Sequence, residues 1–266
     1  MLRDVFVGRI FEGGYSQNDG GPDCLSQLSI EYKLLVCLTS IIAHTFLIQK
    51  ITNRYIIPLS GPPIKPNIIE YFFGVVQIIV LILQFFLKIQ THRLIFIFNP
   101  CHVTTLMQAY VLLTPSSTQN YKIMHISIAW CFGAFLGVLM PMVGEIIYGW
   151  EAEVFHIQHW CTGIICPILL MISKRYPPYK LSPFIMYYAF EFFIIYQRSV
   201  LAYLSHITWA NLNFTLCSAT TDPWIPFVGT HYYYISEFYV YLNSYLYALG
   251  LYFIASLIKK VKSKVD

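Results

Sequence analysis

The chain has 266 residues, 57% of them hydrophobic and 11% charged, with a mean hydropathy of +0.58 and a formal net charge of +4. Soluble domains carry about 25% charged residues, so this composition excludes an ordinary water-soluble fold and predicts an all-α polytopic membrane helix bundle of about seven transmembrane helices. The basic residues are scattered, with no basic stripe interleaved with aromatics, so nucleic acid is not an expected partner.

Residues 1–33 contain Asp4, Glu12, Asp19, Asp23 and Glu31 and no long apolar run. They read as a polar segment ahead of the membrane domain, not as a cleavable signal. Apolar runs follow at roughly 34–51, 67–87, 94–114, 123–143, 155–172, 184–206 and 237–258, each near the length a bilayer-spanning helix needs. Pro58, Pro62, Pro63 and Pro66 punctuate the first loop, Pro115 ends the third run, and Pro177-Pro178 separates the fifth from the sixth. The expected organisation is a 1–33 segment, a 34–258 seven-helix domain and a basic tail over 259–266. Lys and Arg concentrate after the first, third, fifth and seventh runs. The positive-inside rule then puts the N-terminus in the lumen and the C-terminus in the cytosol.

Asn99-Pro100-Cys101-His102 interrupts the third apolar run, and Ile157-Gln158-His159 opens the fifth. Polar groups are expensive in lipid and default to a functional reading there. In this topology both helices enter from the lumenal side, which sets Cys101 and His159 at a similar depth, about 6–11 Å below that surface. Pro100 predicts a kink that opens the helix towards a cavity. A thiol attacks as thiolate and needs a base. His159 is preferred because it comes from another helix, whereas His102 points about 100° away from Cys101 on the same one. Asn99, His102, Gln158, Arg198, Asn211, Asn213 and Asp222 are the candidates for oxyanion or substrate contacts. For Arg198 and Glu191, pairing with other helices and lining a polar cavity are the alternatives to contact with a phospholipid headgroup.

Other residues read more plainly. Glu153, His156 and His159 with His102 offer a metal set, but the spacing is not HExxH, so no metal or other cofactor is expected. His44, His92, His206 and His231 form no constellation and default to the membrane interface. His125 reads as structural. Cys24 and Cys217 lie in polar segments on the lumenal side, where oxidation permits a disulfide between them. Asn213-Phe214-Thr215 is a glycosylation sequon.

Five residue groups, in order along the chain, resemble the transmembrane protein 164 family. They are Gly20-Gly21-Pro22-Asp23-Cys24, Asn99-Pro100-Cys101-His102, Met124-His125, Glu151-x-Glu153 with Ile157-Gln158-His159, and Asn211-x-Asn213 with Cys217 and Asp222-Pro223. The resemblance implies a membrane acyltransferase that moves polyunsaturated acyl chains from a phospholipid onto ether lysophospholipids, with Cys101 as nucleophile and His159 as its partner. It also implies a fold similar to the androgen-induced hydrolases of fatty acid esters of hydroxy fatty acids. The chain departs from that pattern with Gln197-Arg198 in place of His-Phe, His156 in place of Tyr, and a shorter first cytosolic loop.

The expectation is therefore an integral membrane phospholipid–lysophospholipid acyltransferase of the endoplasmic reticulum, using a Cys101 thioester and no obligate protein partner. A lipid ester hydrolase with the same dyad is the neighbouring alternative, with water replacing the acceptor. A transporter should show inverted repeats or paired broken helices, and the chain shows neither. A seven-helix receptor is not excluded by helix count.

Overall fold

The computed structural model describes residues 2–11, 20–55, 59–141, 148–179, 181–219 and 225–262. Among the described residues the chain is helices and turns, with one isolated antiparallel bridge between Gly20 and Ala210. Two short helices, α1 (Leu2–Phe11) and α2 (Pro22–Ser26), precede the long α3 (Ile30–Tyr55) and α4 (Ile68–Gln90). A 3-10 turn over Leu94–Phe98 leads into α5 (Pro100–Leu113), followed by α6 (Thr118–Trp130) and α7 (Phe132–Leu139). Helix α8 (Glu151–Trp160) runs through a π turn, Cys161–Ile165, into α9 (Cys166–Ile172). Helix α10 (Pro183–Tyr196) likewise runs through a π turn, Gln197–Leu201, into α11 (Ala202–Thr208). A short α12 (Ile225–Val228) and the long α13 (Tyr232–Lys262) complete the chain.

Among the described residues, five stretches are long and apolar enough to cross a membrane: Ile30–Ile48, Ile68–Gln90, Thr118–Leu139, Glu151–Ile172 and Ile235–Val261. The protein is a multi-pass integral membrane protein. Two of the seven expected spans differ. The run 94–114 is not one kinked helix, because Asn99 is extended (φ −57, ψ 143) and α5 begins afresh at Pro100. A residue before proline is pushed out of the α region, while proline itself is well suited to the first helical position. The run 184–206 is helical, but Glu191, Gln197 and Arg198 dilute its apolar character below that of the other five.

The helices sort into two compact units. The first comprises Met1–Lys50, Phe85–Asn99 and Glu191–Tyr241. Its core joins Val7 of α1, Ile95 and Phe96 of the 3-10 turn, Leu201 of the second π turn, and Ala210 and Leu212 beyond α11. On α3, Leu34, Leu38 and Ile42 are exposed at four-residue spacing while Val36 and Ser40 are buried, the two-faced pattern of a helix between lipid and protein.

The Cys24–Cys217 disulfide lies in this unit, with a Cα–Cα separation of 5.2 Å, as expected from the sequence. The loop carrying Cys217 is wound around Asn211. The Asn211 side-chain oxygen accepts from the Leu216 and Cys217 amides at 3.0 and 3.3 Å, and its Nδ2 donates to the Cys217 carbonyl at 3.1 Å. Gly20 brings the N-terminal strand of chain against this loop. At φ +126 it adopts a conformation open to glycine, and a Cβ there would stand 2.1 Å from the Trp209 carbonyl oxygen.

The second unit comprises Ile51–Gln84, Pro100–Phe190 and Leu242–Asp266. Helix α5 packs on α6, and α7 packs on α8 and its π turn. Arg175 closes the C-terminal end of α5, donating to the carbonyls of Thr114 at 2.7 Å and Val111 at 3.0 Å while pairing with Glu70 at 3.1 Å. Cationic groups at that end satisfy orphan carbonyls and complement the helix dipole.

Candidate functional site

The second unit brings the start of α5 beside the end of α8. Because α5 begins at Pro100, Cys101 occupies its first turn, where backbone amides have no intrahelical acceptor and stabilise negative charge. Cys101 is partly exposed and His102 buried.

A hydrogen-bonded chain ties the two helices together. The Thr105 hydroxyl donates to the Cys101 carbonyl at 2.7 Å and meets the Thr162 hydroxyl at 2.7 Å. Gln158 Nε2 reaches His102 Nδ1 at 2.8 Å and Thr105 Oγ1 at 3.2 Å. The donor count closes: Thr105 gives its proton to Cys101 and accepts from Thr162 and Gln158. An amide nitrogen only donates, so His102 Nδ1 accepts and the neutral ring carries its hydrogen on Nε2.

His159 has the opposite tautomer. Its Nδ1 lies 2.7 Å from the Phe155 carbonyl oxygen, which only accepts, so the hydrogen is on Nδ1 and Nε2 has the lone pair of a base. The ring stacks on Phe155 with centroids 3.8 Å apart. Its other edge lies against Gly137 of α7, where an added Cβ would stand 2.3 Å from Cδ2 and 2.8 Å from Nε2.

The π turn between α8 and α9 adjoins this hydrogen-bonded chain. Such a turn breaks the regular ladder and leaves carbonyls to be satisfied from outside. Gln108 Nε2 donates to the Thr162 carbonyl at 3.1 Å, and the Tyr247 hydroxyl donates to the Gly163 carbonyl. Gln108 also accepts from Gln77 Nε2 at 2.7 Å and donates to Cys131 Sγ at 2.8 Å.

Of the residues predicted from sequence, Cys101, His102, Gln158 and His159 thus belong to one unit and to two neighbouring helices. Asn99, Arg198, Asn211 and Asn213 lie in the first unit. Asn99 ends it, with its side-chain oxygen buried and without a hydrogen-bond partner. Arg198 is paired with Glu237 at 2.8 Å, so helix–helix pairing, one of the readings of this residue, is what the structure contains. Asn211 organises the disulfide loop, and Asn213 sits beside it at φ +47, its carbonyl accepting from Gln197 at 3.4 Å. Asp222 lies outside the described residues.

His125 is buried against Tyr121 and Tyr179, centroids 4.7 and 4.9 Å away. Among the described residues no group of three or more His, Cys, Asp or Glu could hold a metal, and His102 and His159 each commit Nδ1 to protein partners.

Sequence reasoning missed Thr105, Thr162, Gln108 and Gly137. Thr105 carries a signal, standing four residues after Cys101 and so on its face of α5. Thr162 stands four after Gln158, but the π turn disturbs that periodicity. Gly137 carries no local signal.

A model of the TMEM164 family matches residues 25–253 of the chain, a stretch that includes Cys101, His159 and Cys217. No solved structure matches it.

Proposed function

The chain belongs to the TMEM164 family, and from that premise we propose that it is an integral membrane acyltransferase that moves a fatty acyl chain from a phospholipid to a lysophospholipid, of ether type, through a thioester on Cys101. The observation that carries this reading is the tautomer of His159. The Phe155 carbonyl holds its Nδ1 hydrogen and leaves Nε2 as a base, one residue from Gln158, which itself bonds the residue after Cys101.

The steps follow from these groups. His159 Nε2 takes the thiol proton as Cys101 Sγ attacks the ester carbonyl carbon of the donor. The first-turn amides of α5 and the His102 Nε2–H are the donors available to the oxyanion. The carbon–oxygen ester bond breaks, and the departing alkoxide takes the proton from His159 to leave a lysophospholipid. The acceptor hydroxyl then gives its proton to His159 and attacks the thioester, and Cys101 recovers a proton from His159. The reaction needs no added cofactor, because the acyl group enters already activated as an ester. The Cys24–Cys217 disulfide supports an oxidising, lumenal setting for the loops that carry it, and residence in the endoplasmic reticulum fits that setting.

The test is transfer of a labelled acyl chain from phosphatidylcholine to an ether lysophospholipid by membranes containing wild type, Cys101→Ala or His159→Ala. Both variants are expected to lose transfer by about a thousandfold or more. Undiminished transfer in either removes that residue from the mechanism. Free fatty acid as the sole product identifies a hydrolase instead.

A further inference from the structure

The first unit holds a second buried polar cluster that acyl transfer does not use. On α3, Cys37, Ser40 and His44 share one face. Glu191 of α10 and Arg198 of its π turn, with Tyr233 and Glu237 of α13, complete the cluster. His44 Nδ1 lies 2.5 Å from Glu191 Oε2, and Nε2 lies 3.4 Å from Glu237 Oε2. Glu237 Oε1 accepts from Ser40 at 2.7 Å and from Arg198 Nε at 2.8 Å. Arg198 also donates to the Tyr233 carbonyl and sits 4.1 Å over its ring, while the Tyr233 hydroxyl meets Cys37 Sγ at 3.5 Å. Glu191 is fully buried, and its Oε1 has no hydrogen-bond partner.

Charge balance decides what this cluster binds. Two carboxylates and one guanidinium sum to a single negative charge, which is expensive to leave uncompensated inside a bilayer. Ionised carboxylate oxygens only accept, so an imidazole facing one from each ring nitrogen carries hydrogens on both. That proton makes the quartet neutral.

We propose that His44, Glu191, Glu237 and Arg198 form an intramembrane proton-binding site, in which one exchangeable proton holds α3 against α10 and α13. The proton resides on His44 Nδ1, which donates it to Glu191 Oε2 at 2.5 Å, and the unpartnered Oε1 of Glu191 receives it on entry and exit. The other groups facing the cluster, Ser40, Cys37 and Tyr233, balance no charge when protonated. Lys33, earlier on α3, is turned to the Leu25 carbonyl at 3.0 Å. Loss of the proton leaves a net negative charge buried between the helices, so stability falls as pH rises.

The test is thermal unfolding of the full chain in nanodiscs between pH 5 and 10. The wild-type midpoint is expected to fall with rising pH. His44→Gln should lower it by on the order of 10 °C and flatten the profile. The double variant H44Q/E191Q leaves only the balanced Arg198–Glu237 pair and should regain most of that loss. A flat wild-type profile, or a double variant no more stable than the single one, overturns the proposal. Where the single variant fails to fold, 15N spectra of the wild-type histidines decide: a His44 ring protonated at both nitrogens at pH 7 supports the site, and a neutral ring overturns it.

Discussion

Replacing Gly137 with alanine sets two opposing effects against each other. In a helix interior alanine is favoured over glycine by about 0.8–1.0 kcal/mol, so the change would stabilise α7 if nothing stood in the way. The new methyl, however, would lie 2.3 Å from His159 Cδ2, 2.8 Å from Nε2 and 3.2 Å from Cγ. Ordinary contact begins at 3.4 Å, so the ring edge must retreat by about 1 Å (3.4 less 2.3). It cannot do so without disturbing either its stack on Phe155 or the 2.7 Å bond from Nδ1 to the Phe155 carbonyl. Overpacking of this kind costs about 1–3 kcal/mol, which offsets the gain in helix propensity and leaves the net change in stability small. The effect on chemistry should be larger, because a catalytic group misplaced by about 1 Å loses on the order of a hundredfold in rate. The expected result is a folded protein with an unfolding midpoint within a few degrees of wild type and acyl transfer reduced about a hundredfold. Both are measured in nanodiscs, with 15N shifts reporting the His159 tautomer. Full activity with an undisturbed His159 spectrum would refute the reasoning, since the close approach would then exert no constraint.

Two further outcomes follow from the hydrogen bonds and the disulfide. Reducing the Cys24–Cys217 bridge, or changing Cys24 to serine, releases a constraint across 193 residues and should lower unfolding free energy by up to about 5 kcal/mol; thermal unfolding with and without reductant measures it, and an unchanged midpoint would show that the bridge is not formed or not stabilising. Gln158→Leu strips His102 Nδ1 and Thr105 Oγ1 of a buried donor and should cost about 1–3 kcal/mol. The 15N spectrum of His102 should also lose its single-tautomer signature, and an unaltered spectrum would show that Gln158 does not set the ring.

Hydropathy makes the membrane class and most of the spans readable, because a long apolar run has few other uses. The disulfide is readable too, since Cys24 and Cys217 stand apart from the thiols in apolar runs. The break at Asn99 is only half readable: Pro100 signals a disturbance, but whether the chain bends or starts a new helix depends on packing of Ile95 and Phe96 in the first unit. The proton site was hidden by chain distance. Glu191 and Arg198 are visibly on one face, yet the partners of the site are 147 and 193 residues apart along the chain. His44 was expected at the interface on the strength of its local sequence; it is instead mostly buried between two carboxylates, because the charges that hold it come from other helices. Gly137 shows the same limit from the steric side, since its meaning is the ring it admits.

The π turn at Cys161–Ile165 has a consequence for anyone reading or redesigning this helix. A turn that closes one residue later than usual shifts all that follows by about 100° around the axis. A helical wheel drawn through 151–172 as a single α-helix therefore misassigns the faces of α9. Deleting one residue from the turn would restore regular winding and, because the two shifts cancel, leave Leu170 and Met171 facing the interior they now fill; the change would fall on the Thr162 and Gly163 carbonyls that Gln108 and Tyr247 now satisfy.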